Sequence, residues 1–521
     1  MTEVKVHAIP SGGDDGITFF AVTPPLTDQS DGRPGDRDPG PDSAASAASA
    51  ASPPDSGHHL SAATSGGITW YALPTLQIVE AEPDPPLAVS DGAAPAPDVQ
   101  DIGPAVEIPH ACDPEPAPSS AAGDSARILP PRLVGVDAAR GVALLGMMAV
   151  HIVSSETAAG TMSTAWALAA GKSAALFAVL AGVGIAFTTG RTKVLHGRRR
   201  VAAAAALAVR ALLIGCIGLL LGSVVPFDTA GVILAYYAVL FLLAIPLLGL
   251  SDRSLVVLTA VTAVAVPVLS HVVRGPVTAP ELDNPTFADL SGAPGDLVTE
   301  LALTGLYPAL PWIAYLCAGL AIGRSPLTKR GVVMGMTAAG VALAWLSSTA
   351  SWFLMGPLGG RDRLAEVAMS TMPLDDFTGL LVWGADGTLP TTSAWWLAVL
   401  APHTTTPLDI LYTIGVATAV IGTAVIVGWV AGRVLRPLAA AGSMPLTLYT
   451  LHLLLLVTPV MPESEAAAFV LQVVLLVSFA ALWRRRFERG PLEHVVQLAT
   501  GRVRTKILEG RGEGRAPQVT A

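Results

Sequence analysis

Charge is scarce in this sequence. Of its 521 residues only 14% are charged, against 52% hydrophobic, and mean hydropathy is +0.57. Ordinary soluble domains are about 25% charged, which excludes a soluble enzyme of this length and makes a polytopic membrane protein the expectation. Cysteine is scarcer still. Cys112, Cys216 and Cys317 fall in the N-terminal region and in two separate apolar segments, without metal-ligand spacing, so neither a disulfide framework nor a zinc site is expected. Phosphate-loop, zinc and Gly-x-Ser-x-Gly signatures are missing. The glycines of "GVGIAF" at Gly182 make no dinucleotide fingerprint and are better explained as sites of close helix approach. Nothing near Met1 joins a basic start to an apolar run, so no secretory signal is read and the N-terminus is expected to stay in the cytoplasm.

What charge there is divides unevenly. Residues 1–130 hold 19 acidic against 4 basic side chains, while the remainder holds 21 against 27. The first 130 residues also contain 20 of the 42 prolines and the run "DSAASAASAAS". Such a segment buries too little apolar surface to offset its ordering entropy and reads as a disordered acidic tail. Two islands interrupt it, "SGGDDGITFFAVTPP" from Ser11 and "SGGITWYALPT" from Ser65, which look like one short motif used twice. Docking peptides are one reading; residual apolar clutter in a linker is the stronger one.

Apolar stretches long enough to cross a hydrocarbon core of about 30 Å occur near 139–156, 165–188, 201–224, 230–250, 254–272, 306–323, 331–356, 407–431, 438–460 and 467–483. With the N-terminus inside, 22 basic residues after the tail fall on the cytoplasmic side and three, Arg274, Arg361 and Arg363, on the other. That asymmetry predicts ten spans with both termini cytoplasmic. Two outer loops are long, about 273–305 and 357–406. The second carries Trp395 and Trp396, suited to a membrane–water interface, with Trp395 a candidate acceptor contact. The basic run "RRRFERG" directly follows a span and reads as anchoring on anionic lipid rather than nucleic-acid binding. The expected fold is therefore all-α, a polytopic membrane bundle of about ten helices over residues 131–490. It lies between the tail of 1–130 and a basic cytoplasmic tail of 491–521.

A charge at the centre of a span costs about 2.5–3.5 kcal/mol on insertion scales, so each one kept there needs a reason. Arg140 and His151 are eleven residues apart, which on a helix is three turns plus about 20°, so both point the same way about 16 Å apart. Arg140 then sits at the cytoplasmic rim, able to receive a phosphate, with Asp137 one turn earlier to orient it. A positive-inside anchor with an N-terminal acid explains that pair equally well. Lys172 is placed at a depth similar to His151, where an ammonium would keep the imidazole neutral and basic. The alternative is a snorkelling lysine beside a packed histidine. Arg210 is too deep to snorkel easily and points to a polar cavity. His403, before "TTTPLD", can reach an acceptor or be a solvated loop residue. His452 in "LTLYTLHLLLL" reads as a packed hydrogen-bond partner.

"RLVGVDAARGVALLGMMAVHI" and "GKSAALFAVLAGVGIAF" resemble the start of the heparan-alpha-glucosaminide N-acetyltransferase catalytic-domain family and its YeiB-like bacterial relatives, among the transmembrane acyltransferases. "LYPALPWIAYLCAGLAIGR", "AAGSMPLTLYTLHLLLL" and "GPLEHVVQLAT" agree in order, so the resemblance covers about residues 132–500. It implies an integral-membrane enzyme that takes an acyl group from cytoplasmic acyl-CoA, with acetyl-CoA the expected co-substrate, and delivers it to an acceptor, often a sugar, across the membrane. Asp137, Arg140 and Gly141 match the family's opening motif, and His151 its first-helix histidine.

On this reading His151, aided by Lys172, is the catalytic base or accepts the acyl group itself. Asp137, Arg140 and Arg210 serve the CoA, with Arg198 to Arg200 as weaker phosphate candidates. His403 and Trp395 serve the acceptor, and no metal is expected. Expected partners are membrane lipid, an extracytoplasmic glycan or small-molecule acceptor, a second copy of the chain and a cytoplasmic partner for the tail; nucleic acid is not among them. The rival reading is a transporter or lipid-linked-sugar permease in which His151, Lys172 and Arg210 form a proton or anion path. No inverted repeat or pair of broken helices visible in the sequence supports it. A weaker third reading is a membrane anchor for whatever the tail recruits.

Overall fold

A computed structural model of the chain describes residues 7–8, 20–21, 64–65, 68–69, 133–191, 194–275, 283–385 and 387–509. The rest of the acidic tail, Cys112 and residues 510–521 lie outside the described residues. The chain divides into two units, Met1–Ser120 and Ala121–Ala521. In the first, both apolar islands contribute to short antiparallel ladders. Phe20–Ala21 pairs with His7–Ala8, and Thr64–Ser65 pairs with Ile68–Thr69.

The second unit is helical throughout, and an isolated bridge between Glu156 and Met162 is its one strand-type pairing among the described residues. It opens with α1 (Val134–Ile152), α2 (Thr164–Ala169), α3 (Lys172–Thr188), α4 (Gly197–Gly222), α5 (Leu234–Leu247) and α6 (Asp252–Val273). After α7 (Phe287–Gly292) and α8 (Pro294–Thr299) come α9 (Ala309–Arg324), α10 (Arg330–Met355), α11 (Gly360–Ala368) and α12 (Leu374–Val382). The order closes with α13 (Pro407–Ala431), α14 (Arg436–Gly442), α15 (Pro445–Leu456), α16 (Glu465–Arg486) and α17 (Pro491–Glu509). Among the described residues seven helical segments are long and apolar enough to cross a membrane, counting α2 with α3. Two bent pairs, α8–α9 and α14–α15, raise the number to nine, and the apolar 14-residue α5 fills the tenth segment. The protein is a multi-pass membrane bundle.

Boundaries differ from the sequence reading in two places that matter. Helix α1 begins at Val134 and ends at Ile152, so His151 stands in its last turn rather than several residues below the end. The second segment is interrupted at Gly171, whose φ of 67° is comfortable only without a Cβ, and Lys172 becomes the first residue of α3. Alternation of the spans puts the start of α1 and the end of α3 at one end of the bundle, called here the arginine end. Ile152, Lys172 and the start of α13 lie at the other, the histidine end.

Helix α1 packs against α3, α13 and α14, while α3 packs on α9 and α10 on α13. Close approach is permitted by small residues, as expected where helices associate without an aqueous hydrophobic drive. At the α3–α9 crossing a Cβ on Gly319 would overlap the Val179 carbonyl, and one on Gly182 would overlap that of Leu316. Two breaks in the spans were not visible in the sequence. The α8–α9 pair bends by 52° and the α14–α15 pair by 84°. In each case proline occupies the restart: Pro308 caps α9, and Pro445 opens α15, where its missing N–H is harmless. Described parts of the long loops at the histidine end form α7, α8, α11 and α12. Around Phe377 and Trp396 the 357–406 loop builds a second small apolar core. The last described segment, from Pro491, is a helix packed along α4, tied down by Arg198 Nη2 donating to the Ile507 carbonyl at 2.7 Å.

The Gly319 contact yields a direct test. Gly319→Leu is expected to abolish the monodisperse species on size-exclusion chromatography in detergent, whereas Gly331→Leu, at a position with nothing within 4 Å, leaves it intact.

Candidate active site

Helix α1 carries chemistry at both its ends. At the arginine end Arg140 Nη1 lies 2.6 Å from Asp137 Oδ1, the i,i+3 pairing anticipated from their spacing. Both line a cavity of about 370 Å³ enclosed by α1, α3, α4, α5, the α14–α15 break and α17. Its wall is mostly apolar and aromatic, with Phe177, Phe187, Tyr237, Phe241 and Tyr449; its polar groups are concentrated in Asp137, Arg140, Arg210 and Glu493. A second cavity of about 300 Å³ adjoins it through Thr188, Arg210, Glu493 and Val496, and adds Gln497, Thr500 and Arg504. Arg504 Nη1 in turn donates to the Thr188 carbonyl at 3.2 Å.

Arg210 stands at the junction of the two cavities. Its guanidinium carbon is 5.5 Å from the centre of the Phe241 ring, and its buried Nε has no hydrogen-bond partner among the described residues. A buried charged donor left unpaired is costly, and an anion supplied from either cavity would satisfy it. An apolar channel with guanidinium groups at its mouth fits the chemistry of acyl-CoA. Its thioester arm can lie against aromatic walls while its phosphates accept charge-assisted hydrogen bonds.

Glu493 has a structural task as well. The break at Ser443–Met444 exposes the first N–H groups of α15 inside the bundle. Glu493 Oε1 accepts from Leu446 N at 2.8 Å and Thr447 N at 3.1 Å, and Oε2 accepts from Thr447 Oγ1 at 2.6 Å. The Thr447 hydroxyl in return accepts from Leu492 N at 3.1 Å. A carboxylate from one helix thus caps another, with the sign that the helix dipole favours. The one signal of Glu493 in the sequence is an acidic residue after "GPL", at the start of the last described helix.

At the histidine end His151 Nδ1 is 3.0 Å from His452 Nε2, and His452 Nδ1 is 2.6 Å from Gln472 Oε1. The two rings are nearly coplanar, 5° apart in orientation with centres 5.2 Å apart, so their contact is edge to edge. His151 Nε2 has no hydrogen-bond partner among the described residues. Three helices, α1, α15 and α16, supply this chain. The sequence alone presents His452 as a packing partner and does not point to its contact with Gln472. A lone amide inside the apolar run of α16 was the signal, because a polar group at that depth needs an internal partner.

Lys172 is brought to a neighbouring cluster. Its ammonium donates to the Ala167 carbonyl at 2.9 Å, lies 5.8 Å from the centre of the Tyr412 ring, and interacts electrostatically with Asp409 and His403. His403 is in turn close enough to act electrostatically on His151. The expected pairing of Lys172 with His151 is thus relayed through His403. The "HTTTPLD" loop holds this arrangement. Thr404, Thr405, Thr406 and Asp409 are buried; Asp409 Oδ2 accepts from Thr405 N at 3.0 Å, and Thr406 Oγ1 caps α13 by accepting from Asp409 N at 3.1 Å. His403 adopts φ of 60°, a conformation held only by such surrounding bonds. Its ring contacts Tyr307 with centres 5.5 Å apart, and its Nδ1 is buried without a partner among the described residues. Trp395 is located elsewhere, against Gly360 and beneath the Arg363 guanidinium at 5.0 Å, beside the second small core.

Burial, and secondarily the Lys172 ammonium, bring the His403 imidazole down to about 4 from 6.5. Between those values the unfolded chain takes up a proton that the folded one refuses, so stability is greatest above the upper value and falls as pH drops toward the lower. His403→Gln is therefore expected to lose less thermal stability than the parent between about pH 6.5 and about pH 4, measured by unfolding in detergent. Equal losses in the two proteins would contradict the burial of a neutral ring.

No curated protein matches the chain. The model of the family described as heparan-alpha-glucosaminide N-acetyltransferase, catalytic, matches residues 132–355, from the start of α1 through α10. That segment contains Asp137, Arg140, His151, Lys172 and Arg210, whereas His403, His452, Gln472 and Glu493 come from the helices that follow. Over residues 132–355, the stretch that carries the Arg140 and His151 sites on one helix, the chain is similar to the heparan-alpha-glucosaminide N-acetyltransferase catalytic family, transmembrane acetyltransferases that use acetyl-CoA as donor.

Proposed function

We propose that the protein transfers an acetyl group from cytoplasmic acetyl-CoA to a hydroxyl or amine of an acceptor, such as a sugar or envelope glycan, on the far side of a cell membrane. The observation that carries the reading is the pair of sites on one face of α1, an arginine-mouthed apolar cavity and a hydrogen-bonded imidazole about three turns away. Orientation follows from charge. Arg198 to Arg200, Arg330, Arg433, Arg436 and Arg484 to Arg486 all fall at the arginine end, against Arg274, Arg361 and Arg363 at the other, a bias that supports a cytoplasmic arginine end.

In this mechanism Arg140, held by Asp137, and Arg210 bind the CoA phosphates, and the acyl arm follows the aromatic wall toward the histidine end. His151 Nε2 takes the proton from the acceptor O–H or N–H as that oxygen or nitrogen attacks the thioester carbonyl. The C–S bond breaks, and the departing thiolate recovers the proton as CoA–SH. General base catalysis of this kind contributes about 10²–10⁴ in rate. His403 and Lys172 border the reacting ring on the acceptor side and are the groups available to orient the acceptor.

The broken α14–α15 span is the feature that the transporter reading would use, since helix termini inside a membrane can serve as anion sites. Here the exposed N–H groups of α15 are already engaged by Glu493, which favours a structural role for the break. Purified protein is expected to bind labelled acetyl-CoA saturably and to lose at least tenfold in affinity on Arg140→Ala, while His151→Ala retains binding and loses transfer by about 10² or more. Proton-coupled solute uptake without acetyl-CoA binding would replace this reading by the transporter.

A further inference from the structure

We infer that His452 and Gln472 are positioning residues that lock His151 in the Nδ1–H tautomer, leaving Nε2 as its basic nitrogen. The inference deepens the reading of His151 as the reacting imidazole. A neutral imidazole has one N–H donor and one lone-pair acceptor, and which nitrogen is which is set by the partner of the other. The amide oxygen of Gln472 can only accept, so the 2.6 Å contact requires a proton on His452 Nδ1. Neutral His452 must then offer a lone pair at Nε2, and the 3.0 Å contact requires the proton on His151 Nδ1. Nothing remains on His151 Nε2 but its lone pair.

The start of this chain is itself fixed. Gln472 Nε2 faces Met461 Sδ at 3.5 Å, a weak acceptor that suits an NH₂ group, so the amide oxygen is turned to His452. His452 and Gln472 both have 0% exposure, and water does not compete for either bond. The near-coplanar rings put the nitrogen-to-nitrogen line in both ring planes, where the lone pair lies. The arrangement uses an uncharged residue where a carboxylate would be expensive at this depth. It orients the base without adding a charge to be buried.

The test is made on the full-length protein in detergent, with ¹⁵N-labelled histidine and acetyl transfer measured in parallel. The parent is expected to show His151, assigned by loss of its signals in His151→Ala, with Nδ1 protonated and Nε2 free. Gln472→Leu removes the acceptor at similar volume. It is expected to give a mixture of tautomers and a fall in kcat of about tenfold to a hundredfold, with acetyl-CoA affinity unchanged. Gln472→Glu keeps the acceptor and is expected to restore the Nδ1–H tautomer. Unchanged tautomer and unchanged kcat in Gln472→Leu overturn the inference. If that variant fails to fold, the parent spectrum decides, since a proton on His151 Nε2 at neutral pH overturns it equally. Failure of the base assignment is read separately, as full transfer by His151→Ala.

Discussion

Inside hydrocarbon a polar group has no water to fall back on, so each must find its partner within the protein. The bundle is organised by that requirement. Where the ninth span breaks between Gly442 and Pro445, the first N–H groups of α15 would be stranded; the Glu493 carboxylate of α17 reaches them. Where His452 is buried within α15, Gln472 and His151 occupy its two ring nitrogens. In the loop that carries His403, Thr404 and Thr406 donate to the Ala401 and Val399 carbonyls and Asp409 accepts from Thr405 N. The Glu493 cap and the His151–His452–Gln472 series are contacts between helices distant in the chain, and they hold the cavity and the imidazole in register.

Helix α1 connects the two sites. A rigid helix fixes the rise and rotation between Arg140 and His151, so the distance from the arginine-lined cavity to the imidazole is set by eleven residues of backbone rather than by loops. The cavity wall of Phe177, Tyr237, Phe241 and Tyr449 is apolar and aromatic and offers bulk water little to bind. The arginines at its mouth stay anchored, Arg140 on Asp137 and Arg210 over Phe241.

The family-matched segment and the helices after it divide the work. Residues 132–355 supply His151, Lys172, Arg140 and Arg210; α13 to α17 supply His403's loop partners, His452, Gln472 and Glu493 around them. Glu493 links the two, since it lines both cavities beside Arg210 and also caps α15, which bears His452. The C-terminal helix thus lines both cavities.

Hydropathy, spacing and basic asymmetry determined that the chain crosses the membrane about ten times, that α1 carries Asp137, Arg140 and His151 along one side, and that the glycines near Gly182 mark a close helix crossing. These are local properties, read from the period of one helix or the composition of one loop. The sequence was silent on the 84° break, on the Glu493 cap, on Lys172 meeting His403 ahead of His151, and on Gln472. Each of these joins residues far apart in the chain. Their partners are chosen by helix packing, and a periodicity within one helix carries no record of which distant side chain the packing will bring against it. What tertiary structure decided was the pairing of polar groups, because only there is it settled which buried donor meets which acceptor.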